Sequence, residues 1–166
     1  MRDDSSVSRS PSVEVEVRRE RADEPAGQAL LDGFDDEMRA RYGDFDKTIT
    51  PSATPEQMGP PEGAFLVLYA AGEPVACGGV KRLAADTGEI KRMFVAADAR
   101  GRSYGRMLLG ALEDAARELG YARMRLDTGS RQPEGLALYR SAGYGEIPRY
   151  NDNAYAGYWF EKDLAG

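Results

Sequence analysis

Between Gly63 and Val95 the chain passes through three strand-like runs joined by turns too short for a crossover. Gly63–Ala70 is a nearly continuous apolar run, Val75–Leu83 and Glu89–Val95 follow, and only the turns at Ala71–Pro74 and Ala84–Gly88 separate them. Parallel neighbours need a connection of about a dozen residues or more, so the three runs read as an antiparallel meander. Gly78 and Gly79, inside the second run, mark a bulge or a close backbone approach. After Val95 the pattern changes to loop, helix, strand, helix, strand. Helical spacing covers Ser103–Leu119 and Pro133–Ser141, and strands are expected at Arg123–Asp127, Tyr144–Ile147 and Tyr155–Lys162. Upstream, Val13–Val17 alternates apolar and charged residues, the period of a half-buried strand. Leu30, Leu31, Phe34, Met38 and Tyr42 then form one stripe on a helical region from Ala26 to Tyr42, which Gly33 is expected to divide in two.

The 166 residues suffice for one domain with a core of its own, assigned to 13–166. Residues 1–12 carry five serines, two arginines and two aspartates and offer little to bury, so a disordered tail is expected there. The absence of histidine excludes Ser-His and Cys-His nucleophile pairs, histidine general bases and most catalytic zinc sites, and no metal is called for. Cys77 stands alone, which rules out a disulfide within the chain and fits a reducing, cytoplasmic setting. A net charge of −6 argues against nucleic acid or anionic membrane as a general partner, and no apolar run approaches the ~20 residues of a membrane span. The charge is segregated. Lys81–Arg131 holds 11 bases and 7 acids, a net +4, whereas Glu14–Lys47 holds 11 acids and 6 bases, a net −5.

The most informative stretch is Arg100-Gly101-Arg102-Ser103-Tyr104-Gly105-Arg106, between a strand and a strong helix. Its glycines permit a tight turn and close approach to backbone amides, and the first helical turn supplies unpaired N–H groups with a partial positive charge. Three arginines at that end oppose the helix dipole unless a polyanion binds them; the alternative is a solvated arginine cluster. The spacing matches neither the phosphate loop of nucleotide hydrolases nor the dinucleotide fingerprint.

Glu89–Val95, then Arg100–Leu109, then Ala137-Leu138-Tyr139-Arg140-Ser141-Ala142-Gly143-Tyr144 resemble the core of the GCN5-related N-acetyltransferases, the GNAT superfamily. The family signature is Arg/Gln-x-x-Gly-x-Gly/Ala; Arg100 and Gly105 fit its ends, and Ser103 replaces the middle glycine. A serine there has a hydroxyl able to cap the helix or bond a phosphate. The resemblance implies an α/β fold with a central mixed sheet of about seven strands and about four helices. It also implies transfer of an acetyl group from acetyl-coenzyme A to an amine. In its terms, backbone amides from Arg100, Gly101, Arg102, Ser103, Tyr104, Gly105 and Arg106 hold the pyrophosphate. The backbone of Met93, Phe94 and Val95 pairs with the pantetheine arm where two strands splay, and Gln132 stands where many relatives carry a coenzyme-contacting asparagine.

Aminolysis of a thioester needs a neutral amine, a proton acceptor and a protonated leaving thiolate. By resemblance Glu89 is the base and Tyr139 the acid that protonates the sulfur; the alternatives are a solvent-facing edge charge and a core aromatic. Asp127 is read as touching the acceptor or capping a turn, Arg92 as binding a substrate carboxylate or forming a surface ion pair, and Cys77 as a small buried residue. Asp35, Asp36, Glu37, Arg39 and Tyr42 border the acceptor in this reading. The aromatic segment with Tyr150, Tyr155, Tyr158, Trp159 and Phe160 walls the acceptor pocket, packs the last strand or forms a homodimer contact. The expected activity is acetylation of a small-molecule primary amine by direct attack in a ternary complex. Its rivals are acetylation of a protein or peptide, and acyl-coenzyme A binding without catalysis.

Overall fold

The computed structural model describes residues 13–43, 45–46 and 53–164. The tail expected over residues 1–12 lies outside them. The chain forms β1 (Val15–Arg19), α1 (Pro25–Tyr42), β2 (Ala64–Ala70), β3 (Glu73–Ala84), β4 (Thr87–Val95), α2 (Tyr104–Glu118), β5 (Arg123–Gly129), α3 (Pro133–Ser141), β6 (Gly145–Ile147) and β7 (Ala156–Asp163). The strands make one seven-stranded sheet in the order β1-β2-β3-β4-β5-β7-β6. All neighbours are antiparallel except β4 and β5. The sheet is therefore mixed, as expected.

The continuous apolar run of β2 follows from burial on both faces. Leu66 and Leu68 pack under α2 with Leu108, Leu109 and Leu112, while Phe65 and Val67 face Leu30 and Leu31 of α1. Period-two alternation thus serves two cores at once. Phe160 and Tyr139 join the α2 side. Among the described residues there are three α-helices rather than about four, because α1 runs unbroken through Gly33. That glycine does not break the helix: it sits against Phe94, whose ring atom Cε1 lies 3.3 Å from where a Cβ would be. No helix among the described residues is long and apolar enough to cross a membrane.

The feature that shapes the site is the short parallel pairing of β4 with β5. It holds only from Thr87 to Glu89, opposite Arg123 to Arg125. Beyond Glu89, β4 stays with β3 (Cys77 opposite Phe94), and β5 stays with β7 as far as Gly129 opposite Ala156. A bulge drives the separation. Cys77 faces Phe94 and Gly79 faces Lys91, so Gly78 alone opposes Arg92 and Met93. Arg92 takes φ +54°, a left-handed conformation that costs a side-chain-bearing residue roughly 1–2 kcal/mol. Gly78–Gly79 therefore mark the bulge that opens the sheet.

Candidate active site

A cavity of about 330 Å³ fills the mouth of this split. Met93, Phe94 and Val95 line it from β4; Arg100, Gly101, Ser103, Tyr104, Gly105 and Arg106 from the following loop and α2; Gln132 and Tyr139 from the start and middle of α3. Of the residues expected to bind the coenzyme or act in catalysis, two do not line it: Arg102, which is exposed, and Glu89. Thr128, Gly135 and Leu138 also line it, as do Phe34 and Met38 from the α1 stripe, none of them expected as site residues. Their signal was present in helical spacing, with Phe34 and Met38 one turn apart on α1 and Gly135, Leu138 and Tyr139 on one face of α3.

The turn into α2 places Gly101 at φ +80° and Ser103 at φ +66°. Ser103 makes no side-chain cap, contrary to one of the roles expected of its hydroxyl. The N–H groups of the first turn have no partner within the helix, and no capping side chain among the described residues occupies them. At Gly105 a Cβ would stand 3.3 Å from Leu138 and 3.6 Å from Val95, so a larger residue would crowd the cavity wall.

The arginine crowd is partly answered by the protein itself. Arg100 pairs with Glu37, donates to the Val95 carbonyl oxygen at 3.1 Å and lies over the Phe94 ring; Arg106 donates to Ser141 Oγ. Glu37 also binds Arg41, which reaches Glu134 at the start of α3. Glu134 is desolvated there, yet its hydrogen bond and ion pair with Arg41 hold its carboxyl below the ordinary value. This chain of charges ties α1 to both walls of the cavity.

Tyr139 is 8% exposed and its hydroxyl lies 3.6 Å from Met93 Sδ. Burial, with the charge of Asp127, pushes its phenol above the ordinary value, so it keeps its proton. A second cavity of about 110 Å³ shares Phe34, Met38, Met93, Thr128, Gln132 and Tyr139 with the first. It adds Phe45, Lys91, Arg92, Asp127, Asn153 and Tyr155. The two cavities thus meet at Met93 and Tyr139.

Glu89 is 2% exposed and lines neither cavity. Its Oε2 accepts a 2.7 Å hydrogen bond from Tyr150, while Oε1 faces Lys91 at 3.6 Å and Lys81 at 3.9 Å. It is neither a solvent-facing edge charge nor a wall of the site. Lys91 also contacts Asp127 at 3.2 Å. Arg92 lines the smaller cavity with Asp35 4.0 Å away. Cys77 is buried, which pushes its thiol up to about 12 and suits packing rather than nucleophilic work. The aromatic segment divides its labour: Tyr155 walls the smaller cavity, Tyr150 holds Glu89, Trp159 binds Asn151 and Phe160 fills the core.

The sequence profile of the Acetyltransferase (GNAT) family matches residues 20–144, most of the chain. The chain belongs to the GNAT family. The split between β4 and β5 and the loop into α2 lie within the matched region. An IAA acetyltransferase from Azospirillum brasilense is 43% identical over 90 residues, 52% of this chain and 57% of that protein. The chain spans about half the length of the curated relatives it matches. In fold, a GNAT family acetyltransferase from Staphylococcus aureus Mu50 superposes with a TM-score of 0.73 at 17% identity, covering 91% of this chain and 99% of that one. The PaiA N-acetyltransferase of Thermoplasma acidophilum, in complex with coenzyme A, gives 0.68 at 15% identity, covering 90% and 99%. The seven-stranded sheet with its helices is the GNAT acyl-CoA N-acyltransferase fold.

Proposed function

We propose that this protein transfers the acetyl group of acetyl-coenzyme A to a primary amine of a small molecule, by direct attack in a ternary complex. The observation that carries the reading is the meeting of the two cavities at Met93 and Tyr139, within the split between β4 and β5. The donor occupies the larger cavity, its pyrophosphate on the amides from Arg100 to Arg106 and its pantetheine arm along Met93, Phe94 and Val95, with Gln132 beside it. The acceptor enters the smaller cavity. Its nitrogen attacks the thioester carbon, and Tyr139 protonates the departing sulfur. Glu89, buried one layer below, fixes the charges of Lys81 and Lys91 from beneath the acceptor rather than meeting the amine itself. Arg92 offers a partner to an acceptor carboxylate, so amino acids belong among the acceptors. We place the enzyme in the cytoplasm, with no metal in the reaction. Similarity to a relative named an IAA acetyltransferase supports acetyl transfer.

A coenzyme-release assay with acetyl-coenzyme A across small amines, amino acids and peptides tests the proposal. Turnover of a small amine is expected. A peptide outcompeting every small amine would favour a protein acetyltransferase, and binding without turnover across the panel would favour a non-catalytic acyl-coenzyme A module.

A further inference from the structure

We propose that Asp127, not Glu89, receives the ammonium group of the acceptor and takes its proton; the inference rests on the acetyl-transfer reading. Asp127 lies near the C-terminal end of β5, just beyond the last residue paired with β4, and lines the smaller cavity that the donor cavity meets. Its carboxylate is held from three sides. Lys91 Nζ donates to Oδ2 at 3.2 Å, the Asn151 side-chain amide donates to the same oxygen, and Asn153 Nδ2 donates to Oδ1 at 2.8 Å.

The orientation of both amides is dictated by their other partners. Asn151 Oδ1 accepts from the Trp159 indole N–H at 3.0 Å, and an indole can only donate. Asn153 Oδ1 accepts from the Tyr155 backbone N–H at 3.1 Å. Each amide therefore turns its NH₂ to Asp127, and the segment between β6 and β7 acts as a clamp on one carboxylate. A carboxylate accommodates about four hydrogen bonds. Among the described residues Oδ2 takes two and Oδ1 one, which leaves Oδ1 able to accept one more.

An acceptor ammonium is suited to that site. Phe34, Met38, Phe45 and Tyr155 supply apolar walls, and desolvation there lowers the ammonium pKa toward loss of a proton. The first proton passes from nitrogen to Asp127 and then to solvent. The neutral amine forms the C–N bond at the thioester carbon, and the C–S bond breaks. The thiolate takes the Tyr139 proton, and the second proton lost from nitrogen restores the phenol. One amide, one thiol and one released proton balance the reaction. Lys91 contacts Asp127 directly, Arg92, Tyr139 and Tyr155 share its cavity, the Tyr139 and Tyr150 phenols feel its charge, and Glu89 reaches it only through Lys91. Arg125, two residues back on β5, is paired with Glu161.

The test is the pH dependence of kcat/KM with the best amine found, for wild type and three variants. Asp127→Asn is expected to lose about 10²-fold near neutral pH and to recover at high pH, where free amine is abundant. The rise in Tm on adding acetyl-coenzyme A is expected to persist in it. Asn153→Ala keeps the carboxylate but removes a donor that favours its charged form, so the low-pH limb is expected to move to higher pH. Glu89→Gln removes a negative charge that shares Lys91 with Asp127, so it is expected to move that limb to lower pH, opposite in direction to Asn153→Ala. An Asp127→Asn profile parallel to wild type at equal height, or an unmoved limb in Asn153→Ala, would overturn the proton role alone. Wild-type protein that turns over no amine would overturn the acetyl-transfer reading and the proton role with it.

Discussion

The phenol of Tyr150 donates a 2.7 Å hydrogen bond to Oε2 of Glu89, joining the segment before β7 to the last residue of β4 that pairs with β5. Glu89 thereby acts as the keystone at the apex of the split, with Lys81 and Lys91 on its other oxygen. Replacing it by Gln leaves two lysines, 15% and 9% exposed, without this counter-charge. Lys91 keeps Asp127 at 3.2 Å and Gln still accepts from Tyr150, so stability should fall by roughly 1.5 kcal/mol, the scale for losing one charged partner rather than for an uncompensated buried charge. Urea denaturation of Glu89→Gln measures it; an unchanged midpoint would show that the carboxylate carries no structural load.

Tyr139→Phe isolates the leaving-group role. The hydroxyl's only protein hydrogen bond among the described residues is the weak one to Met93 Sδ, so its loss costs little stability. Where chemistry limits the rate, kcat should fall about 10²-fold with donor affinity unchanged. Single-turnover kinetics decide the point, and unaltered turnover would reduce Tyr139 to packing.

Ser103→Gly should stabilise the fold. Ser103 sits at φ +66°, where a Cβ costs about 1 kcal/mol, so Tm should rise by about 3 °C. Donor binding should persist, because the amides do not change. Thermal melts with and without acetyl-coenzyme A test both statements; a lower Tm would mean that the serine hydroxyl contributes more than the strain removes.

Alkaline pH should destabilise the protein through its buried phenols. Burial pushes Tyr139, Tyr144 and Tyr150 above the ordinary value of 10.0, Tyr150 also through the charge of Glu89. Below that value these phenols are protonated folded or unfolded, and pH changes nothing. Above it the unfolded chain releases protons that the native state retains, so stability falls as pH rises. In an ultraviolet titration these three of the nine tyrosines should ionise only on unfolding. All nine ionising together in the native state would contradict the burial argument.

Much of this fold was legible locally. Short turns fixed the β2–β4 meander, and Pro133 with Gly143 bounded α3 at the residues observed. β1 begins two residues later than its alternation suggests and runs on to Arg19, because pairing with Leu66–Ala70, rather than its own pattern, sets its span. Gly33 reads as a helix break because local propensity carries no information about Phe94, which packs against it from β4. The loop into α2 could be placed from its glycines and arginines, but the partners of Arg100 and Arg106 come from α1 and α3 and are invisible in the motif. Glu89 and Asp127 exchange prominence for the same reason. Which of two carboxylates faces a cavity depends on where β4 and β5 part, and that depends on a bulge opposite Gly78.

The central claim is that the split between β4 and β5, closed by the loop into α2, holds acetyl-coenzyme A. Calorimetric titration of acetyl-coenzyme A into wild type and Gly105→Val tests it most directly. At position 105 a Cβ would already stand 3.3 Å from Leu138 and 3.6 Å from Val95, and the branched side chain adds bulk beside the first-turn amides. The account predicts saturable binding to wild type and at least about a tenfold loss in the variant, equivalent to about 1.4 kcal/mol. Undiminished binding by a folded Gly105→Val protein would contradict it.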